Sequence, residues 1–189
     1  TPGSGTQINW NGYLTGYADG GPGGQYPSTP SSSLNRGSGG SGGNSSQTQG
    51  GRGTAGVVYI RYPYSLQQVS PFVATGGDEV FDIDVSGQNY RVHKFTSSGN
   101  LITNGGIPAL ADFLLVGSGG GGGLGVYAGG GGGGGLIYRN SSRTFFGQTY
   151  TVVIGAAVGT DGQTSGGNST VFGLTALGGG RGGGNAGTA

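Results

Sequence analysis

The fold of this chain depends on the stretch Gly117-Ser-Gly-Gly-Gly-Gly-Gly-Leu124-Gly-Val-Tyr-Ala128-Gly-Gly-Gly-Gly-Gly-Gly-Gly135. A helix is not expected there, because each glycine in a helix interior costs about 1 kcal/mol relative to alanine. A pleated strand is little better, since glycine has no side chain to pack. We expect polyproline-II-like arms, which have three residues per turn and no internal hydrogen bonds. Buried arms must pair their N–H and C=O groups with neighbouring arms, so the stretch predicts a stacked scaffold rather than an enzyme site.

The composition limits the classes of protein to be considered. Glycine supplies 51 of 189 residues without a Gly-X-Y period, which excludes collagen. Charged residues make up 8% and the net charge is +1, so neither nucleic acid nor an anionic membrane surface is an expected partner. The absence of cysteine excludes a disulfide framework, and no apolar run is long enough for membrane insertion. Because methionine is absent even from position 1, we expect a processed product or an excerpt of a longer protein.

The residues between the glycine runs predict β-strands. Gly56–Tyr62 is β-branched and aromatic, and Pro63 ends it. Val80–Val85 and Tyr90–Phe95 alternate apolar and polar residues and should form a hairpin through a turn at Ser86–Asn89. The other expected strands are Ala111–Val116, Gly135–Tyr138, Gln148–Ile154, Ser169–Phe172, Leu174–Leu177 and a short one within 96–104. The sequence contains no amphipathic helix pattern. The predicted fold is therefore all-β, with a small β-sandwich or sheet core and glycine-rich polyproline-II-like (polyglycine II) arms.

Aromatic residues complicate the glycine-rich segments. Residues 1–54 have the composition of a flexible linker but carry spaced aromatic side chains. These side chains either pack as wedges against glycine arms or serve as exposed platforms for a ligand. Tyr127, in the turn between two arms, would either plug the lattice or protrude at its tip. The candidate contact residues for a ligand or receptor are Trp10, Tyr13, Tyr17 and Tyr127.

No catalytic residue, cofactor site or metal site is predicted. The pattern Gly117-x-Gly-x-x-Gly122 imitates a dinucleotide-binding turn, but glycines stand where its helix should begin. His93 is the sole histidine and lies in a strand pattern, which favours a surface or hydrogen-bonded role. Asp82 and Asp84 share a strand face and are weak candidates for Ca²⁺ binding or a glycosidase pair. The preferred interpretation is the solvated face of an edge hairpin, paired with Arg91 or Lys94.

Several blocks of the sequence resemble the glycine-rich modules of tailed-phage tail fibres and related bacterial surface proteins. Those modules open with a Phe-Thr-x-x-Gly strand and close with a Gly-Ile-Val-x-Ile-Arg-Tyr strand. The matching blocks are Tyr90–Gly99, Phe113–Gly122, Gly134–Arg139, Gly147–Gly155, Gly166–Gly180 and Gly56-Val-Val-Tyr-Ile-Arg-Tyr62. The resemblance implies a β-sheet core with glycine-rich arms, in an extracellular protein or on a virion.

The order of the blocks departs from that family. The closing block Gly56–Tyr62 precedes the opening block Phe95–Gly99, and joining Ala189 to Thr1 would restore the usual order. The sequence therefore divides into the end of one module at 1–64, a connector and hairpin at 65–94, and the start of a module at 95–189. The chain is either a repeat-length piece of a longer tandem-repeat protein, beginning in the middle of a module, or a subunit whose neighbours complete each other's modules.

The second interpretation predicts head-to-tail assembly. The strand at 57–62 of one chain would add to an open edge at Ala111–Val116 of the next, and a contact that does not close produces a filament. The expected subunit contacts are Val57, Val58, Tyr59, Ile60, Tyr62, Phe113, Leu114 and Leu115. The expected function is a structural subunit or repeat of an extracellular or virion fibre, with the chain itself as partner. The alternative is a receptor-binding adhesin at a fibre tip, which recognises a host surface protein or glycan.

Overall fold

The structure, a computed structural model, describes residues 3–9, 14–23, 35–44, 49–64, 73–104, 110–144, 147–158 and 164–184. These residues form strands and contain no helix, which confirms the predicted all-β class. The strands are β1 (Thr6–Asn9), β2 (Leu14–Tyr17), β3 (Val57–Pro63), β4 (Ala74–Thr75), β5 (Glu79–Val85), β6 (Gln88–Phe95), β7 (Gly99–Thr103), β8 (Leu110–Val116), β9 (Leu136–Thr144), β10 (Thr149–Val152), β11 (Ser169–Val171) and β12 (Leu174–Ala176).

The strands form two larger sheets and two hairpins. The main sheet has five antiparallel strands in the order β5-β6-β3-β8-β9. A three-stranded sheet in the order β10-β7-β4 faces it, and β1–β2 and β11–β12 are separate hairpins. In the described part of the chain no helix is long and apolar enough to cross a membrane.

The central strand β3 is covered on both faces, which explains its nearly continuous apolar sequence. Val58, Ile60 and Tyr62 point into the core between the two larger sheets. That core also contains buried side chains from the three-stranded sheet and the β11–β12 hairpin, including Leu101, Tyr150, Val152 and Val171. On the opposite face, Val57 belongs to a second cluster beneath the β1–β2 hairpin.

Two hairpin turns each place a glycine second, after a residue with a side chain, because both turn positions have a left-handed backbone. Ser86 and Gly87 connect β5 to β6 with φ values of 55° and 84°. Phe172 and Gly173 connect β11 to β12 with φ values of 55° and 75°. Two successive left-handed residues match the twist of a two-residue β-hairpin, and glycine adopts the second position without steric cost.

The glycine runs form a hydrogen-bonded stack of arms, with arm 117–123 at its centre. Gly117, Gly120 and Gly123 donate to the carbonyls of arm 128–135 over 2.8 to 2.9 Å. Of the two residues between these donors, the first donates to the segment 164–167 and the second to arm 50–56, so the direction of donation repeats every third residue. This repeat is the one expected for polyproline-II-like glycine arms, which must satisfy one another. The arms in the stack are 18–23, 37–43, 50–56, 117–123, 128–135 and 177–184.

The linker-like segment 1–54 contains arms 18–23 and 37–43 and most of arm 50–56. Residues 37–44 are buried, and Gly40 and Gly43 donate to Gly120 and Gly123 over 2.9 and 3.1 Å. Arm 50–56 accepts hydrogen bonds from arm 117–123 through Gly51 and Thr54. The segments that the sequence assigns to different modules therefore share one lattice and one sheet.

Candidate functional site

The candidate assembly site is the position between β6 and β8 that β3 occupies. β3 pairs in register with β6 from Val58↔Phe95 to Pro63↔Tyr90. It also pairs with β8 from Val57↔Val116 to Arg61↔Asp112. The structure thus brings together all eight residues predicted as subunit contacts, and it does so within one chain.

The open edge predicted at Ala111–Val116 is not present in the described part of the chain. β8 pairs with β3 on one side and with β9 on the other, so both of its edges are used. The physical reason is that the chain's own β3 reaches the gap and buries both of its faces there. A neighbour could supply β3 only by taking the place of this strand.

A buried ion pair, which the sequence analysis missed, links β3 to β8. Arg61 and Asp112 are each 7% exposed, and Arg61 Nε lies 2.8 Å from Asp112 Oδ2. The Arg61 guanidinium also lies 4.8 Å from the centre of the Tyr90 ring. The sequence did contain a signal for this pair. Two apolar strands were expected to pair, and each contains one charged residue, a cation in the first and an anion in the second.

His93 is buried and holds the edge of the smaller sheet to the main sheet. Its Nδ1 lies 2.7 Å from the Gly76 carbonyl oxygen, which can only accept, so Nδ1 carries the proton. Nε2 then accepts from the Tyr62 hydroxyl at 3.3 Å, and that hydroxyl oxygen accepts from the Ala74 N–H at 3.3 Å. Burial lowers the pKa of His93 and raises the pKa of Tyr62. This geometry is that of the hydrogen-bonded histidine that the sequence allowed.

The buried His93 should make the protein less stable in mild acid. Its pKa is lowered in the folded state, so below about pH 6.5 the unfolded chain binds the proton more readily. The free energy of unfolding should therefore be fully retained well above that pH and decrease as the pH falls through about 6.5 towards 5. Urea unfolding at several pH values measures this slope, and His93→Asn should flatten it because the chain has no other histidine. An equal slope in both proteins would assign the effect to another group.

The acidic hairpin has partners for its carboxylates. Both oxygens of Asp82 accept from Arg91 at 2.8 and 2.9 Å, and Lys94 Nζ lies 2.7 Å from Glu79. The hydrogen bond from Arg91 lowers the pKa of Asp82, while Asp84 accepts from the Gly87 N–H at 3.0 Å. Among the described residues, no group of three His, Asp or Glu side chains could hold a metal ion. The arrangement matches the interpretation as a charged edge hairpin, and such charges discourage edge-to-edge aggregation.

Asp78 fixes the turn that follows the hairpin. The Ser97 hydroxyl and the Thr96 N–H both donate to its carboxylate at 2.6 Å, and the Ser97 N–H donates at 2.9 Å. These hydrogen bonds, led by that from the Ser97 hydroxyl, hold the pKa of Asp78 at about 2. The carboxylate therefore has a local structural role at the start of β7.

The candidate aromatic contacts fall into three groups. Tyr17 is 3% exposed and packs edge-to-face on Tyr59 at 6.3 Å, so it corresponds to the wedge alternative and offers no surface to a ligand. Tyr127 is 69% exposed with φ of 61°, so it protrudes from the turn between two arms. Trp10 and Tyr13 lie outside the described residues.

The comparison with protein families gives a match for the second half of the chain. The glycine-rich domain family matches residues 95–189, just over half of the sequence. The chain belongs to the glycine-rich domain family. No curated protein and no solved structure matches it. The matched glycine-rich domain begins at Phe95, where the sequence analysis placed the opening block, and leaves β3 outside.

Residues outside the matched glycine-rich domain complete its core. Within 95–189, β8 has β9 on one edge, while the strand on its other edge comes from residues 57–63. The central arm 117–123 likewise receives neighbours from arms 37–43 and 50–56. The site is therefore a place where the glycine-rich domain accepts a strand and two arms from another part of the polypeptide.

Proposed function

We propose that this glycine-rich protein is a structural subunit of an extracellular or virion fibre, in which neighbouring subunits complete each other's modules. The observation that supports the proposal is the position of β3. A strand outside the matched domain fills the centre of the sheet between β6 and β8 and pairs with both. A strand placed in this way can come from the same chain or from the next one, because the contacts are identical.

The unit exchanged between subunits would be residues 1–64. Arms 37–43 and 50–56 and the β1–β2 hairpin are contiguous in sequence with β3 and pack against the second half. The connection to the rest of the chain runs through residues 65–72. Exchange of 1–64 along a row of subunits gives a head-to-tail contact, and such a contact builds a filament when it does not close into a ring.

A pair of engineered cysteines tests whether β3 comes from a neighbour. Tyr59 and Leu114 are opposite each other on β3 and β8, and opposite residues of antiparallel strands have Cα spacings that suit a disulfide. The chain has no cysteine of its own, so Tyr59→Cys/Leu114→Cys introduces the only thiols. We expect filaments in negative-stain electron microscopy, and a ladder of covalent multimers after oxidation and denaturing electrophoresis.

The single cysteine variants serve as controls, and the same two measurements can contradict the proposal. Either single cysteine variant should give no ladder, because its partner thiol is missing. Filaments that yield only single chains after oxidation would show that β3 stays within its own subunit. Discrete particles at all micromolar concentrations would contradict the fibre proposal itself.

The exposed Tyr127 favours a second candidate function, a receptor-binding adhesin at a fibre tip. A left-handed backbone at a tyrosine is uncommon, and such positions occur often at sites of function. On this proposal Tyr127 stacks on a host surface protein or glycan. Tyr127→Ala should then reduce binding of the labelled protein to host cells about tenfold or more without changing its unfolding midpoint. Exposed Val153 is the control position, since Val153→Ala should leave binding unchanged. Equal binding by both variants would show that Tyr127 does not contact the receptor.

A further inference from the structure

The N–H groups of arm 128–135 are directed to three sides, and on one side they meet no acceptor among the described residues. On the first side, the N–H groups of Gly129, Gly132 and Gly135 donate to arm 177–184 over 2.6 to 2.8 Å. On the second side, every third residue from Ala128 donates to arm 37–43 over 2.7 to 3.2 Å. The remaining N–H groups, those of Gly130 and Gly133, have no hydrogen-bond partner among the described residues. Because an arm with three residues per turn presents donors on three sides, the vacant side has the form of an unoccupied lattice position.

A groove of about 520 Å³ lies on that vacant side. The glycines at 130–133 form one wall, and the glycines of arm 18–23 form the other, with Gly3 and Ser4 beside them. Gly23 and Gly3 have room for a methyl group, since the nearest atoms would lie 3.9 and 4.0 Å from an added Cβ. The groove walls therefore consist mostly of glycine backbone and carry two donors three residues apart, which suits another extended glycine segment.

Arm 177–184 has the complementary features on its outer side. Gly180 and Gly183 are exposed, and an added Cβ on either would meet nothing within 4 Å. Their carbonyls accept from arm 128–135, while their N–H groups have no partner in the described part of the chain. The arm has the same three-residue repeat as the groove walls.

We propose that the groove binds arm 177–184 of a second copy of this chain, so that the glycine lattice continues from one subunit to the next. Gly130 and Gly133 then donate to carbonyls of the incoming arm, and the incoming N–H groups at 180 and 183 donate to carbonyls of arm 18–23. The choice of a second copy as occupant rests on the proposed function as a fibre subunit. The contact joins two different surfaces and is separate from any exchange of β3.

Glycine-to-alanine variants test the contact from both sides. Gly180→Ala/Gly183→Ala adds methyl groups to the incoming arm, and Gly3→Ala/Gly23→Ala adds them to the groove, in each case where the single subunit has room. We expect both variants to keep the wild-type unfolding midpoint and to associate about tenfold more weakly or worse in sedimentation velocity. Gly99→Ala is the matched control outside the lattice. A Cβ added to Gly99 would lie 3.8 Å from its nearest neighbour, an atom of the Phe95 ring, so the site has room for it. This variant should associate like the wild type.

The outcomes separate this inference from the fibre proposal. Weakened association in both lattice variants, with an unaffected Gly99→Ala, supports the groove contact. Filaments that form equally well in all variants overturn the groove contact and leave the fibre proposal standing. A wild-type chain that remains monomeric at every concentration overturns the groove contact together with the fibre proposal.

Discussion

Replacing Gly120 with alanine should lower the free energy of unfolding by about 3 kcal/mol or more. Gly120 is buried in the central arm, donates to Gly132 and accepts from Gly40, each over 2.9 Å. An added Cβ would lie inside 3.0 Å of the backbone of Gly180 and Gly179. The neighbouring atoms are backbone, so no side chain can rotate away and the arms must separate. Separation leaves buried N–H and C=O groups without partners, and each such group costs about 1–3 kcal/mol.

Gly180→Ala is the matched control for that prediction, because the same methyl group meets nothing within 4 Å there. At concentrations where the chain is monomeric, it should be as stable as the wild type or up to about 1 kcal/mol more stable. The gain comes from the reduced conformational freedom of the unfolded chain. Urea unfolding followed by near-ultraviolet circular dichroism measures both variants. A loss for Gly120→Ala as small as that for Gly180→Ala would mean that the arms are not packed backbone to backbone.

The strands could be predicted from sequence because their patterns are local. The alternation in Val80–Val85 and Tyr90–Phe95 predicted the β5–β6 hairpin, which the structure contains with Ser86 and Gly87 in its turn. The glycine run at 117–135 predicted arms that satisfy one another, because glycine leaves few other ways to bury a backbone. Both inferences depend on residues that are close together in the chain.

The arms in the first third of the chain could have been found by their period. Residues 37–43 read Gly-Ser-Gly-Gly-Ser-Gly-Gly, so Ser38 and Ser41 are three residues apart and every other position is glycine. Side chains three residues apart lie on the same side of a polyproline II helix. In the structure both serines are buried in the lattice, and the intervening glycines approach other arms. Composition alone suggests a linker, whereas the spacing indicates an ordered arm.

The source of the central strand could not be predicted, because pairing between distant segments is not encoded locally. The sequence identified residues 57–62 and 111–116 as partners, and one of its two interpretations placed the contact between neighbouring chains. The structure forms it within one chain, where β3 also pairs with β6. Local patterns are the same for either arrangement, since a strand supplied by a neighbour would have the same residues on the same faces. The burial of Tyr17 was equally undetermined, because it depends on where the β1–β2 hairpin packs.

Removing one partner of the Arg61–Asp112 pair should cost far more than removing one partner of the Arg91–Asp82 pair. Both pairs join residues opposite each other on antiparallel strands, with an Nε–O distance of 2.8 Å. They differ in burial, because both side chains of the first pair are 9% exposed, whereas the Asp82 side chain is 46% exposed. Asp112→Asn leaves the Arg61 charge buried beside a neutral group, which should cost about 3–5 kcal/mol. Asp82→Asn leaves a solvated arginine and should cost no more than about 1 kcal/mol.

A double variant separates the cost of an unpaired charge from the contribution of the pair itself. Arg61→Met/Asp112→Leu removes both charges and therefore leaves no buried charge unpaired. It should be clearly more stable than Asp112→Asn, although it loses the ion pair and the contact of the Arg61 guanidinium with the Tyr90 ring. Thermal and urea unfolding at low and high salt give the comparison, and only the exposed pair should weaken as salt screens it. If the double variant were no more stable than Asp112→Asn, the loss would come from the hydrogen bonds and packing of these side chains. The pair would then contribute to β3 placement through its shape and hydrogen bonds, and not through the compensation of a buried charge.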